Sequence, residues 1–380
     1  MPLPFKTVLI VTNHVYGGRK ASIHFFADDL AARGVDVVFL TVDASLVNRL
    51  RPGAQFSNLR AAPKRQWLTV APRLTAFVQP TLIHPANLHN AALNRLSGPI
   101  YAAWPARLPA ELRRRMPRCD LILVETGTCV RFLPALRRAY PDAYLAYKAN
   151  DLLSTLGTHP MLQETERRML PRFDLVAAAS AGIAEALPPG APAMVIPHGI
   201  DKTAFDTAAA SPYPEGSRNM VAVGNMLFDQ WVIEQLAAIA PDWTIHGFGV
   251  QWRGPNPGNV VLHGEQPFAR IVPFVKFADI GIAPYAMRPQ FAYLAASSLK
   301  IRQYSYCRLP IIAPAGVDWG RPNIAVYDRT PESLGAAFRR AAALPREMLS
   351  AADIPSWSES VDMLVEAYLG RPDEAMRLRA

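Results

Sequence analysis

Short apolar runs alternate with helical stretches along the whole chain. Strands that are apolar on both faces need cover on both sides, so the alternation calls for parallel sheets wrapped by helices. The first unit of the pattern is Thr7–Thr12 (TVLIVT), a polar Gly-containing loop at 13–20, a helical stretch Ala21–Arg33 punctuated by Gly34, and a second strand at Val35–Leu40. Further strands are expected at Leu82–His84, Ile100–Ala102, Leu121–Val124, Ala143–Tyr147, Leu175–Ala179 and Ala193–Ile196, with helices at Gly127–Ala139 and His159–Leu170. The Pro/Ser/Gly-rich stretch Asp206–Arg218 then opens a second series with strands at Asn219–Val223, Trp243–His246, Val260–Leu262, Asp279–Ala283, Leu309–Ala313 and Ile324–Tyr327. At 380 residues the chain suits two α/β domains better than one. The expected fold is two Rossmann-like, doubly wound parallel-sheet domains facing a central cleft. They cover residues 1–205 and 206–355, and a helical segment at 356–380 crosses back to the first.

Such domains bind ligands beyond the carboxyl ends of their strands, so residues just after strands are the ones to weigh. The densest such stretch is Gly281–Pro314 (GIAPYAMRPQFAYLAASSLKIRQYSYCRLPIIAP). It reads as a strand ending at Pro284-Tyr285, a loop of about a dozen residues, a helix capped by Ser297 or Ser298, and a strand at Leu309–Ala313. Lys300 falls in the first turn of that helix and Gln303 one turn later. A helix N-terminus with a lysine beside it is a phosphate site, although both residues also fit a solvated helix face.

Other candidates follow other strands. Asp151 comes just after the strand AYLAY and can take a proton from an attacking hydroxyl, or it can simply cap a helix beginning LLSTL. Asp201 closes the HGID loop, Asn225, Met226 and Asp229 lie in the GNMLFD loop, and Glu265 and Gln266 follow the strand Val260–Leu262. Each of these also reads as a plain turn, and GNMLFD lacks the full GxGxxG pattern. Tyr285 can lie against a nucleotide or pack internally.

Composition narrows the classes. No apolar run approaches the ~18–20 residues of a membrane span, and the opening MPLPFKTVLIVTNH enters a strand with no small-residue cleavage site, so neither a transmembrane helix nor a signal peptide is expected. Three cysteines (Cys119, Cys129, Cys307) form no CxxC pair and read as reduced thiols. The eight histidines show no HExxH spacing, and no metal is expected. Up to Asp206 there are 24 lysines and arginines against 15 acidic residues, while the remainder is balanced at 16 each. A basic first half suits an anionic partner such as a membrane surface, a lipid diphosphate or nucleic acid, or else a set of solvated helix faces. Apolar residues mixed with arginines at Trp67–Phe77 and Leu108–Met116 suit a headgroup surface, or amphipathic core helices.

The strand–loop–helix–strand order of Gly281–Pro314 resembles the nucleotide-sugar pocket of GT-B glycosyltransferases. Over most of its length the chain further resembles the GumK-type glucuronosyltransferases of xanthan assembly. Four blocks in order carry this likeness: ASIHFFADDLAARG (21–34), YKANDLLSTL (147–156), SPYPEG…VAVGNMLFD (211–229) and GIAPYA…YLAASSLKIRQY (281–304). The resemblance implies an inverting, metal-independent enzyme that needs no cofactor beyond its UDP-uronate donor. Its acceptor would be an oligosaccharide on an isoprenoid diphosphate, reached as a peripheral or monotopic protein on the cytoplasmic face of the inner membrane, with no role for nucleic acid. It further implies Asp151 as catalytic base, Asp201 and Asp229 as other cleft aspartates, and Met226, Glu265, Tyr285, Lys300 and Gln303 in the donor pocket. Asn225, Gln266 and Leu299 depart from the family's serine and two methionines. They leave the identity of the sugar open.

The Glu-x7-Glu pair of the commonest retaining GT-B enzymes would fall on Ala295 and Gln303, so it is absent, which favours inversion. A GT-B sugar epimerase and a nucleotide-sugar-binding scaffold without activity are the competing readings.

Overall fold

The most apolar strands occupy the middle of the first sheet. β1 (Thr7–Thr12) pairs in parallel with β2 (Asp36–Ser45) on one side and β5 (Leu121–Glu125) on the other, and Val8 to Val11 are fully buried. β3 (Trp67–Ala71), β4 (Leu74–Thr81), β6 (Tyr144–Ala149), β7 (Leu175–Ala178) and β8 (Ala193–Val195) complete an eight-stranded sheet of order β3-β4-β2-β1-β5-β6-β7-β8. Every pairing is parallel except β3 with β4. The computed structural model describes residues 3–17, 20–46, 57–104, 106–287, 297–317 and 320–370.

The second sheet holds β9 (Asn219–Val223), β10 (Thr244–Phe248), β11 (Val260–Gly264), β12 (Ile280–Ile282), β13 (Ile311–Pro314) and β14 (Ile324–Tyr327), all parallel, in the order β11-β10-β9-β12-β13-β14. Renumbered from β9, this is the 3-2-1-4-5-6 order of a dinucleotide-binding domain, with its switch point between β9 and β12. The first sheet has its own reversal at β1, between β2 and β5. The expected fold class, two parallel-sheet α/β domains, is the one observed.

Residues up to Pro197 together with Trp357 onward form one compact unit, and His198–Ser356 form the other. The division comes before the Lys202–Thr207 helix rather than after Phe205, because Phe205 is buried in the second unit's core with Tyr304 and Leu309. The Trp357–Leu369 helix packs on the Ser22–Ala32 helix of the first unit. Trp357 stacks on Phe25 at 4.6 Å between centroids, and Tyr368 meets Phe5 edge-on at 5.1 Å. Arg33 joins the pair through Asp362 and Ser358.

Four local readings change. Trp67–Phe77 is an antiparallel hairpin and not an amphipathic helix: Pro72 and Arg73, the latter at φ 62, make the turn, and β3 is a half-exposed edge strand. No strand forms at Leu82–His84, since β4 ends at Thr81, and Ile100–Ala102 lies in the Ala91–Ala103 helix, started by Asn90, whose side chain accepts from Leu93 N. A short apolar run fits strand and helix equally, and the cap decides here. Residues 152–158 form turns, so no helix begins at Leu152 for Asp151 to cap; the next helix, Pro160–Met169, is capped by His159.

In the second unit, the Leu299–Tyr306 helix lies directly on β12. A Cβ built at Gly281 would sit 2.4 Å from the Tyr304 ring, so only glycine admits this contact. Gly281→Ala is expected to force the helix off the sheet, costing ~1–3 kcal/mol. In differential scanning calorimetry this lowers Tm by ~2–4 °C per kcal/mol. An unchanged Tm would mean that the helix has room to yield.

Candidate active site

At the switch point of the second sheet, two loops are stitched together by backbone. Asp229 N donates to Pro284 O at 2.8 Å and Ala286 N to Leu227 O at 2.7 Å, with Phe228 and Tyr285 in an antiparallel bridge. The β9 loop bends through Gly224 at φ 83 and Leu227 at φ 52. Asn225 accepts a bond from Gln251 N at 2.8 Å, which ties its side chain to the neighbouring loop, and Met226 is left exposed. Asp229 caps the Gln230–Ile239 helix and pairs with Arg329 at 2.9 Å, so its carboxylate is committed to structure.

Tyr285 is buried, and its hydroxyl shares a 2.7 Å hydrogen bond with Ser298 Oγ. Ser298 caps the Leu299–Tyr306 helix by accepting from Ile301 N. Lys300, in the first turn, lies over the Tyr285 ring with Nζ 4.7 Å from its centroid. Burial draws the Lys300 ammonium down to about 7, and no carboxylate pairs with it among the described residues. The structure therefore brings Tyr285, Ser298 and Lys300 together at the strand edge, with Met226 in the loop bridged to Tyr285 and Gln303 one turn further along the helix. Ala295, where a retaining enzyme's first glutamate would fall, lies outside the described residues.

Glu265 and Gln266 follow β11, the edge strand. Glu265 is exposed, and Gln266 turns back to donate to His263 O at 2.9 Å. His263 stacks flat on Phe248 at 4.3 Å and meets His246 at 2.9 Å between ring nitrogens. Burial, with His263 adding to it, pulls His246 down to about 4. This aromatic stack supports the Glu265 loop from beneath. Asp201 caps the Lys202–Thr207 helix through Ala204 N at 3.0 Å.

Asp151 belongs to the first unit, two residues beyond β6. The residue before it is firmly held: Asn150 N donates to Thr126 Oγ1 at 3.0 Å, and Asn150 Nδ2 donates to Glu125 Oε1 at 3.0 Å. Glu125, buried at the end of β5, also accepts from Thr12 at the end of β1 and lies 3.7 Å from His14 Nε2. One carboxylate thus ties the carboxyl ends of β1, β5 and β6 at the reversal of the sheet. Beneath it Lys148 is fully buried over Phe26, its Nζ 4.5 Å from the ring centroid and with no hydrogen-bond partner among the described residues. Burial lowers Lys148 to about 8, partly offset by Glu125. Sequence reasoning missed Glu125, Lys148 and Arg329. The only available signal was a charged residue closing an apolar strand, LILVE and AYLAYK.

Three comparisons bear on these sites. Residues 10–179 match the family model described as glucuronosyltransferase GumK, N-terminal domain. The chain is 30% identical over 356 residues to the UDP-glucuronate:glycolipid 2-beta-glucuronosyltransferase of Xanthomonas campestris pv. campestris, covering 92% of this chain and 86% of that one. In fold it is similar to sucrose-phosphate synthase from Thermosynechococcus elongatus, with a TM-score of 0.59 at 15% identity over 98% of this chain and 97% of that one. An α,α-trehalose-phosphate synthase (UDP-forming) from Burkholderia vietnamiensis gives 0.55 at 12% identity over 96% of each. Two parallel-sheet α/β domains and these relatives make the chain a GT-B glycosyltransferase, and it belongs to the GumK family of glucuronosyltransferases.

Proposed function

We propose that this enzyme transfers glucuronate from UDP-glucuronate, with inversion, to a sugar hydroxyl of a lipid-diphosphate-linked oligosaccharide in exopolysaccharide assembly. The observation that carries the donor half is Lys300: a cation at a helix start, over Tyr285, with no carboxylate to neutralise it among the described residues. The donor named for the Xanthomonas relative fits that charge. Met226, Gln303, Glu265 and Gln266 complete the donor contacts in this reading, with Asn225 beside them, while Asp201 and Asp229 shape the loops that carry them.

The chemistry is one displacement. The acceptor hydroxyl attacks the anomeric carbon, and its proton passes to the Asp151 carboxylate. The bond from that carbon to the donor's phosphate oxygen breaks, and its electron pair leaves on UDP. Lys300 and the start of the Leu299–Tyr306 helix stabilise the charge that appears there, a role that elsewhere falls to a divalent ion, so no metal is required. Asn150, fixed on Glu125, holds the chain entering Asp151 in place.

A glycolipid acceptor places the reaction at a membrane, and the basic first half suits an anionic surface on its cytoplasmic side. Among the described residues no helix is long and apolar enough to cross a bilayer, which fits a peripheral mode of attachment. Nucleic acid has no part in this reading.

Asp151→Asn should lower kcat by ~10²–10⁴-fold while UDP affinity, measured by calorimetry, stays as in the wild type. Wild-type turnover in that variant would remove Asp151 from the mechanism. Against a panel of UDP-sugars in EDTA, release of UDP should occur with UDP-glucuronate alone; release that requires added metal would contradict the role given to Lys300.

Lys300 supplies a pH test. Its free-state pKa, drawn down to about 7, means that the ammonium is lost from the empty site as pH rises through 7. UDP favours the charged form, so UDP affinity should fall by up to ~10-fold per pH unit above 7. Lys300→Met should bind UDP more weakly and show a much flatter profile. The same shift costs the empty wild type stability at neutral pH, and that cost fades as pH rises from about 7 to the ordinary lysine value of 10.5, because there the unfolded chain binds the extra proton. Equal pH profiles for the two proteins would sink the assignment.

A further inference from the structure

We propose that a pocket in the first unit, at the carboxyl ends of β2 and β4, binds the diphosphate of the lipid-carried acceptor. Arg65 and Arg107 are its phosphate ligands, and an apolar stripe on the Ala91–Ala103 helix carries the start of the lipid chain. The proposal rests on the glycolipid-acceptor reading above and assigns that acceptor a place.

The pocket measures about 420 Å³, within the range of small-molecule sites. Arg65 and Arg107 line it, both exposed, and neither guanidinium has an ion-pair or hydrogen-bond partner among the described residues. At its floor Asp43 is buried, held at φ 54, with Arg131 Nη1 3.7 Å from its Oδ2. Neither of those two atoms makes a hydrogen bond among the described residues. Arg131 thus attends the Asp43 carboxylate, while the guanidiniums of Arg65 and Arg107 on the pocket wall have no such partner among the described residues and can take an anion. A planar guanidinium grips phosphate oxygens in pairs, which favours phosphate over an uncharged sugar as the occupant.

The apolar part is equally specific. The Ala91–Ala103 helix has no buried residue, and Leu93, Leu96 and Ile100 are 49%, 71% and 60% exposed. Their spacing, continued to Trp104, puts all four on one stripe of the helix. Trp104 lines the pocket and is fixed there, its indole N–H donating to Thr81 Oγ1 at 3.1 Å and its carbonyl accepting from Arg131 at 2.6 Å. Leu82, 64% exposed, forms the opposite lip. A charged head held by the arginines therefore sits where an uncovered apolar track begins. That is the shape of a diphosphate on a long apolar chain.

Binding of farnesyl diphosphate, measured by titration calorimetry, tests this. The wild type should bind it, and Arg65→Ala with Arg107→Ala should weaken it by roughly tenfold or more per guanidinium. Leu96→Ser with Ile100→Ser should weaken farnesyl diphosphate and leave inorganic pyrophosphate unchanged. Unaltered UDP affinity in each variant shows that the fold is intact. Equal farnesyl diphosphate affinity in the arginine variant overturns the pocket. So does loss of binding to phosphatidylglycerol vesicles alone, which would make the arginines a general headgroup contact.

Transfer assays separate this proposal from the reading beneath it. Unchanged acceptor KM in the arginine variant, with transfer intact, refutes the pocket and leaves the function standing. Arginine-dependent binding in an enzyme that transfers no glucuronate supports the pocket and refutes the function.

Discussion

The donor side of this enzyme hangs on the Tyr304 hydroxyl. It donates to Val221 O and accepts from Val223 N, each at 3.2 Å, while its ring lies on the bare backbone of Gly281. The Leu299–Tyr306 helix is therefore fastened to β9 and β12 together, the two strands that flank the switch point. Ser298 and Lys300 reach the crevice only because the last turns of their helix are held there. The helix is eight residues long, too short to keep its place by intrinsic propensity, so tertiary contacts must fix it.

The first unit solves the same problem with a charge. Its sheet also reverses at one strand, and Glu125 spans the reversal by bonding to the ends of β1 and β6. A buried carboxylate costs free energy unless it is well bonded. Here Thr12 and Asn150 supply the bonds, and Lys148 lies beneath as the nearby positive charge. The arrangement constrains Asn150, and through it the backbone entering Asp151, more tightly than an apolar contact would. Conformational precision at that point is what a proton acceptor needs, because a small misplacement is felt strongly in rate.

How much of this the sequence discloses follows from which forces are local. β1, β5 and β6 are legible because both faces are buried and the run is unbroken. Ser298 is legible as a cap because a cap is a matter of neighbouring residues. The hairpin β3–β4 is not, since its outer strand is half exposed and flanked by Arg65 and Arg73, and neither is the helix at Ala91–Ala103, whose apolar residues face outward. Periodicity reports the core, and this helix has none. Asp229 reads in sequence as a cleft residue, but the structure commits it to a helix cap and to Arg329, a partner 100 residues away. Glu125 carries no motif at all. It matters only because strand order puts β5 between β1 and β6, and strand order is a property of the whole sheet.

Cations without counter-charges collect where an anion can supply the missing charge. Burying an ammonium lowers its tendency to hold a proton, and a protein that keeps Lys300 in such a place accepts a less stable empty state. A negatively charged ligand reverses that preference by supplying the missing counter-charge, so part of the strain of the empty site returns as affinity. Arg65 and Arg107 differ in being exposed: water already solvates them, they store nothing, and their contribution must come from geometry alone. A buried lysine gives an affinity that depends on pH near neutrality, whereas two exposed guanidiniums give one that depends on salt and hardly on pH. Donor and lipid diphosphates, chemically alike, would then be told apart by the solvation of the cations that receive them.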